Sequence, residues 1–429
     1  MIRRVVAGMG ANSFGMAVTI GIQLASLPLF LHYWDTASYG TWLMLSAIPA
    51  YLSMADVGMV TAAGNKMTMA MGKGDAHEAN RVFQSVQMFM VVVCGGLALL
   101  VVPVMLWAPL PGLETMDRRV ALLAMSVSVL LALLGGLSEA AFKSTQRYAT
   151  GTMVGNFVRL GEWLGFMIGL ATVGSFAAVA VAGLAVRLAG ILVFMVLATQ
   201  GRHGLSWGTR AADSAEIRSM LTPAVSFMAF PLANALSFQG VTLLVGALFG
   251  PVAVALFNTY RTIARVAVQV TAIFSHALWP EFSRLSGQGA TASVKRLFLR
   301  TSLLSAAQAL LLSLMLYFLS PWLLQVWTHG AIEFVPSLML LMLLYATVGG
   351  IWHIPRVLLM ATNQHVGLAY WAILTGLLCV GLAWLMGSQL QLNGVGAAML
   401  TSELFIACAC AWLAYRAITH KLNTKTALP

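Results

Sequence analysis

The sequence predicts an all-α polytopic membrane protein, with about twelve transmembrane helices in two parallel six-helix bundles around a central cavity. Three observations predict this class. The first is composition: 60% of the residues are hydrophobic and 9% are charged, where an ordinary soluble domain carries about 25% charged residues. The second is the length of the apolar runs, roughly 18–25 residues, which crosses a hydrocarbon core of ~30 Å as helix. Barrel strands would be ~10 residues long and alternating. The third is a repeat. Residues 72–83 read GKGDAHEANRVF and residues 287–298 read GQGATASVKRLF, so that Gly72, Gly74, Arg81 and Phe83 return as Gly287, Gly289, Arg296 and Phe298, 215 positions later in a chain of 429.

The runs place spans at about 10–31, 39–62, 83–106, 119–142, 151–172 and 176–199, then at about 221–249, 253–283, 297–320, 336–361, 366–387 and 394–416. Arg3 and Arg4 lead directly into a full-length span, which is not the pattern of a cleaved signal. Seventeen lysines and arginines, from Arg3 to Lys425, fall in one set of loops, against Arg118 and Arg119 in the other. Cationic loops stay cytoplasmic, so both termini are expected in the cytoplasm. The net charge of +11 is then a topology signal rather than a nucleic-acid surface. Six spans separate the repeated loops, an even number, so the halves 1–205 and 206–429 run parallel. In transporters built from such repeats the substrate path lies between the halves, near the midplane. The GxG pairs lack the strand and the GK[ST] of a phosphate loop, and read as turns before helix starts. Segment 66–82, with charges among methionines, is expected to lie along the membrane surface. Cys94, Cys379, Cys408 and Cys410 all fall within helices and read as small packing residues.

Ionisable groups inside a membrane cost roughly 2.5–3.5 kcal/mol each on the insertion scale, which makes them functional candidates. Arg159, Arg187, Arg261, Arg265 and Arg356 qualify, as do Asp56, Glu139, Glu162 and Glu403. The deeper members are net cationic. Arg159 and Glu162 stand three apart and either pair with each other or face a cavity. Arg261 and Arg265 share one face of the eighth helix, extended by Asn258 and Gln269, with no acid one turn away. Either an anionic ligand or an acid from another helix, such as Glu403, is expected to meet them. Guanidinium suits phosphate because its planar fork donates two parallel hydrogen bonds. Polar stripes run along the first helix (Asn12, Thr19, Gln23, Ser26) and the seventh (Thr222, Ser226, Asn234, Ser237), and are expected either to line the cavity or to join helices. Pro28, Pro223, Pro231 and Pro355 permit bending. Short loops without HExxH, Walker A or GxSxG patterns argue against an enzyme; no metal site or cofactor is expected.

Tyr39-Gly40-x-Trp42, followed by Ala55-Asp56-Val57-Gly58 and then by Gly74-Asp75 and Arg81, resembles the polysaccharide repeat-unit flippases, the Wzx-like branch of the multidrug/oligosaccharidyl-lipid/polysaccharide exporter superfamily. Leu358 to Asn363 is similar to that family more weakly. The resemblance covers the whole chain in length and span layout. It implies a V-shaped pair of six-helix bundles that moves undecaprenyl-pyrophosphate-linked oligosaccharide across the bacterial cytoplasmic (inner) membrane for O-antigen or exopolysaccharide synthesis, by alternating access. In that picture Arg261 and Arg265, with Arg187 and Arg159, attract the pyrophosphate, and Asn12, Gln23, Asn234 and Gln269 accept sugar hydroxyls. Asp56, Glu162 and Glu403 are the candidates for gating or coupling, with Asp56 equally suited to stabilising a turn. Polysaccharide polymerase and glycosyltransferases are the expected partners. The alternative is a cation-coupled multidrug exporter of the same superfamily, which is expected to carry an acid deep in the first or seventh helix; here neither helix does.

Overall fold

The computed structural model describes residues 2–107, 113–201, 204–278, 281–282, 285, 290–362, 364 and 366–426. Gly287, Gly289, Arg202, Arg284 and Asn363 lie outside the described residues, as do the side chains of Arg3, Arg4, Thr222, Pro223, Ser226, Lys421 and Lys425. The described residues are mostly helical, joined by short turns, and contain no strand. Eight helical stretches are long and apolar enough to cross a membrane; this is a multi-pass membrane protein.

The chain forms two compact units. The first comprises Met1–Asp35 and Trp42–Met228. It holds α1 (Ile2–Tyr33), most of α2 (Thr36–Leu52), α3 (Met59–Gly72), α4 (Ala76–Trp107), α5 (Met116–Ser144), α6 (Tyr148–Thr172), α7 (Phe176–Thr199) and the start of α8 (Ser214–Ala235). The second comprises Thr36–Thr41 and Ala229–Pro429. It holds the end of α8, a five-residue π-helical turn (Leu236–Gly240), α9 (Val241–Ala277), α10 (Thr291–Thr328), α11 (Pro336–Ile351), α12 (His353–Ala361) and α13 (Val366–Thr426).

The described residues of the twelve expected spans are helical apart from a few local breaks. The second span is cut between α2 and α3, where Val57 (φ 51°) and Gly58 (φ 77°) are both left-handed and the Asp56 carboxylate accepts the Gly58 N–H at 3.2 Å. The tenth is cut at Trp352, between α11 and α12. The seventh runs through the π turn to a kink at Gly250 (φ 82°), beyond which Pro251 opens the eighth. The eleventh and twelfth join at Gln391, also left-handed at φ 53°.

The first of the repeated loops is helix punctuation. Gly74 has φ 80°, and Asp75 caps α4 by accepting the Glu78 N–H at 2.8 Å. Two backbone bonds then recur at the 215-residue offset of the sequence repeat. Asp75 N–H reaches the Ala70 carbonyl at 3.0 Å, as Ala290 N–H reaches that of Leu285 at 3.0 Å; Ala79 to Asp75 is matched by Val294 to Ala290. One expectation fails here. Segment 66–82 is not one amphipathic helix: it is split between α3 and α4, and Met67, Ala70, Ala79 and Val82 are buried in the core of the first unit.

Within the first unit, α6 meets α7 through Gly161, Gly165 and Gly169. A Cβ on Gly165 would lie 2.8 Å from the Ala182 carbonyl, and one on Gly169 2.5 Å from that of Ala178. Small residues four apart allow two membrane helices to approach backbone to backbone. Helix ends are tied by neighbours. Asp117 accepts the N–H groups of Phe176 (3.1 Å) and Ala177 (2.9 Å) at the start of α7. Arg119 donates to the Met105 and Leu106 carbonyls at the end of α4 (3.1 and 2.9 Å), and Arg147 to those of Leu197 and Ala198 at the end of α7 (3.1 and 2.8 Å). In the second unit Gly40, of the Tyr39-Gly40 pair, sits directly against the Pro251 carbonyl, with no room for a Cβ.

Candidate functional site

The close packing of α6 on α7 brings two of the expected ionisable residues together. Glu162 is buried and forms an ion pair with Arg187. The Ser128 hydroxyl of α5 donates to the same carboxylate at 2.6 Å. Glu162 therefore pairs with Arg187 on the next helix, and the i,i+3 pairing with Arg159 is not formed. Geometry explains the choice: the glycine face lets α7 close in until its arginine reaches the carboxylate, while Arg159 points away.

Arg159 is exposed and donates to the Thr19 hydroxyl at 2.9 Å. That bond belongs to a series. Tyr148 donates to the Asn12 side chain at 3.1 Å, Asn156 to the Ala11 carbonyl at 3.3 Å, and Trp163 to the Ser26 hydroxyl at 2.9 Å. The polar stripe of α1 thus meets a polar stripe of α6 at Asn12, Thr19 and Ser26, so those three residues serve helix joining. Gln23, in the same stripe, is half-buried. Gly15 leaves the space that the Asn156 amide fills.

In the second unit the π turn organises the other arginines. Arg261 is completely buried, at 1% exposure. It donates to the Phe238 carbonyl at 2.9 Å, to the Thr242 hydroxyl at 2.6 Å and to the Asn258 side chain. Its guanidinium carbon lies 3.6 Å from the centroid of the Phe238 ring. The Phe238 carbonyl, within the π turn, accepts from Arg261 together with the Val241 N–H and the Thr242 hydroxyl (2.9 Å). Arg265, one turn on, is half-buried and lies 4.8 Å from the same ring centroid. Among the described residues it donates no side-chain hydrogen bond and meets no carboxylate. Gln269, a further turn along, is half-buried, and Asn234 on α8 is exposed.

Glu403 of α13 accepts the Trp352 indole N–H at 2.7 Å, at the break between α11 and α12. Gly349 makes room for it: a Cβ there would stand 3.1 Å from the carboxylate. Arg356 lies over Phe230 at 5.6 Å and Trp352 at 5.8 Å and interacts electrostatically with Glu403. The partner that Glu403 was expected to be for Arg261 and Arg265 is thus taken up at the helix break. Glu139 is exposed. Of the cysteines, Cys94, Cys379 and Cys410 are buried, whereas Cys408 is exposed rather than packed.

No protein-family model and no curated protein matches the chain by sequence. Solved structures do match by shape. One is an inward-facing multidrug resistance MATE family transporter of the MOP superfamily, with a TM-score of 0.78 at 12% identity, covering 95% of this chain and 100% of that one. An outward-facing MATE family transporter of the same superfamily matches at 0.67 and 11% identity, over 98% and 96% of the two chains. A MOP superfamily transporter from Pyrococcus furiosus with a binding pocket of reversed polarity matches at 0.65 and 12% identity, over 97% and 94%.

The chain shares its fold with these transporters of the MOP superfamily.

On this MOP fold, several residues that shape the candidate site escape a reading of the sequence. Phe238 carries two guanidinium groups, Trp352 anchors Glu403, and Ser128 shares the Glu162 carboxylate. Phe238 and Trp352 look like ordinary apolar residues in apolar runs. The Gly161, Gly165, Gly169 spacing was the one available signal for the α6–α7 approach, and hence for the Glu162–Arg187 pair. The π turn has no sequence signature of its own.

Proposed function

We propose that this protein is a membrane transporter that carries lipid-linked oligosaccharide across the bacterial cytoplasmic membrane by alternating access, with the pyrophosphate of an undecaprenyl-pyrophosphate-linked repeat unit as the group it recognises. The observation that carries the reading is Arg265. Its guanidinium carbon lies 4.8 Å from the centroid of the Phe238 ring, and among the described residues no carboxylate neutralises it. Inside the spans of the second half the arginines, Arg261, Arg265 and Arg356 among them, outnumber the acids Glu281 and Glu403, a balance that attracts anions. The motif resemblance in Tyr39 to Gly58 supports the same branch. Arg159, exposed on α6, is a second cationic contact in this reading; Arg187 contributes little, because Glu162 neutralises it. Asn234 and Gln269 remain candidates for sugar hydroxyls, and a polysaccharide polymerase and glycosyltransferases are the partners the pathway chemistry calls for. Both termini are assigned to the cytoplasm.

Deletion of the gene in its native host tests the proposal. Lipid-linked oligosaccharide should accumulate on the cytoplasmic leaflet and surface polysaccharide should fall. Complementation with Arg265→Ala should fail at normal protein level. Surface polysaccharide that stays normal in the deletion strain, with no second such gene present, sinks the reading.

The likeness to multidrug resistance MATE structures favours a second reading, a cation-coupled multidrug exporter. Cells expressing the chain should then extrude a cationic dye such as ethidium in a gradient-dependent way. The flippase reading expects no such efflux, because the second-unit arginines repel cations.

A further inference from the structure

Arg261 and Arg265 stand one turn apart, an arrangement in which like charges repel, and no described acid lies between them. What they share is the ring of Phe238, 3.6 Å from one guanidinium carbon and 4.8 Å from the other. An aromatic face is electronegative and attracts cations, so the ring offsets the repulsion that the pair would otherwise suffer. The two arginines use it differently. Arg261 has its amino groups committed to the Phe238 carbonyl, Thr242 and Asn258. It holds the backbone of the very residue whose ring supports Arg265. Arg265 lies within cation–π distance of the ring and donates to no described side chain or carbonyl, so its guanidinium is the one available to bind phosphate oxygens in pairs.

We propose that Phe238, presented by the π turn and held there by Arg261, is a positioning residue that orients Arg265 toward a pyrophosphate group. Arg261 is then a clamp on the protein, and Arg265 is the guanidinium that touches substrate. The inference rests on the anion-recognition reading above.

The test is a double-mutant cycle on the full-length protein in lipid nanodiscs, with farnesyl pyrophosphate and inorganic pyrophosphate as probes. Phe238→Leu should weaken binding of both probes about tenfold, the scale of a desolvated cation–π contact. Phe238→Tyr, which keeps the ring, should stay within about twofold of wild type. Placed on Arg265→Ala, Phe238→Leu should weaken binding no further, because its effect passes through Arg265. Phe238→Met, which keeps the volume, replaces Leu if that variant misfolds. Equal binding by wild type and Phe238→Leu, or the same added loss with and without Arg265, overturns the positioning role and leaves the anion site standing. If wild type itself binds neither probe, the pyrophosphate reading falls, and the inference with it.

Discussion

At the residue scale, charge in this chain is placed where the backbone needs it as much as where a substrate does. Arg119 and Arg147 close helix C-termini and Asp117 a helix N-terminus, which are the ends whose carbonyls and N–H groups lack partners. Glu162 is the buried acid whose removal leaves a neighbour stranded. Glu162→Ala should lower stability by about 3 kcal/mol, since breaking a buried pair leaves the remaining charge uncompensated. Glu162→Gln should cost less, because its amide oxygen still accepts from Ser128. Unfolding midpoints of purified protein in detergent measure both. Val57 offers the opposite case. A β-branched residue at positive φ is strained, so Val57→Gly removes about 1–2 kcal/mol of strain against about 0.5–1 kcal/mol of added chain entropy. Its unfolding midpoint should equal or exceed that of wild type. A clear loss would mean that the side chain packs well enough to outweigh the strain.

At the scale of elements, the α6–α7 seam carries the sharpest expectation. Gly165→Ala adds a Cβ at 2.8 Å from the Ala182 carbonyl, so the helices must part. Overpacking of this kind costs about 1–3 kcal/mol. Gly155→Ala, earlier on the same helix with nothing near its missing Cβ, should be neutral or slightly stabilising in the same measurement. The span positions were readable in the sequence, because hydropathy reports directly on the bilayer. The breaks within spans were not. A π turn, a left-handed Val57 and a kink at Gln391 cost little in hydropathy, and tertiary contacts hold them. The polar stripe of α1 was visible by its helical period, but the period alone does not say which way the stripe looks. Three of its members turn out to bond α6. The arginine pair of α9 was likewise visible by spacing, whereas the difference between Arg261, whose amino groups are bonded, and Arg265 depends on Phe238, Thr242 and Asn258, which spacing does not reveal.

At the scale of the whole molecule, the sequence repeat has a structural counterpart in matched backbone bonds at the same offset, while the compact units meet at Met228 and Ala229, and the second also takes in Thr36–Thr41. Orientation is open to direct measurement. Met116→Cys, at an exposed position beside Arg118 and Arg119, should react with a membrane-impermeant maleimide in intact cells with an opened outer layer. Met69→Cys, equally exposed on α3, should react only after the membrane is permeabilised. The reverse pattern would invert the topology. The native Cys408 is removed from both variants to keep the background low.

The segment that α5 begins with has a bearing on how such a chain reaches its place. Glu114 pairs with Arg118 at 3.1 Å, and Asp117 and Arg119 are bound to helix ends beside it. Two acids and two bases leave residues 114–119 without net charge. Moving one uncompensated charge through the field of an energised membrane involves about 2.3 kcal/mol per 100 mV. A neutral hairpin tip is indifferent to that voltage. In the proposed orientation the tip is carried outward during insertion while the basic loops stay behind, and its passage should proceed at the same rate in energised and in depolarised cells.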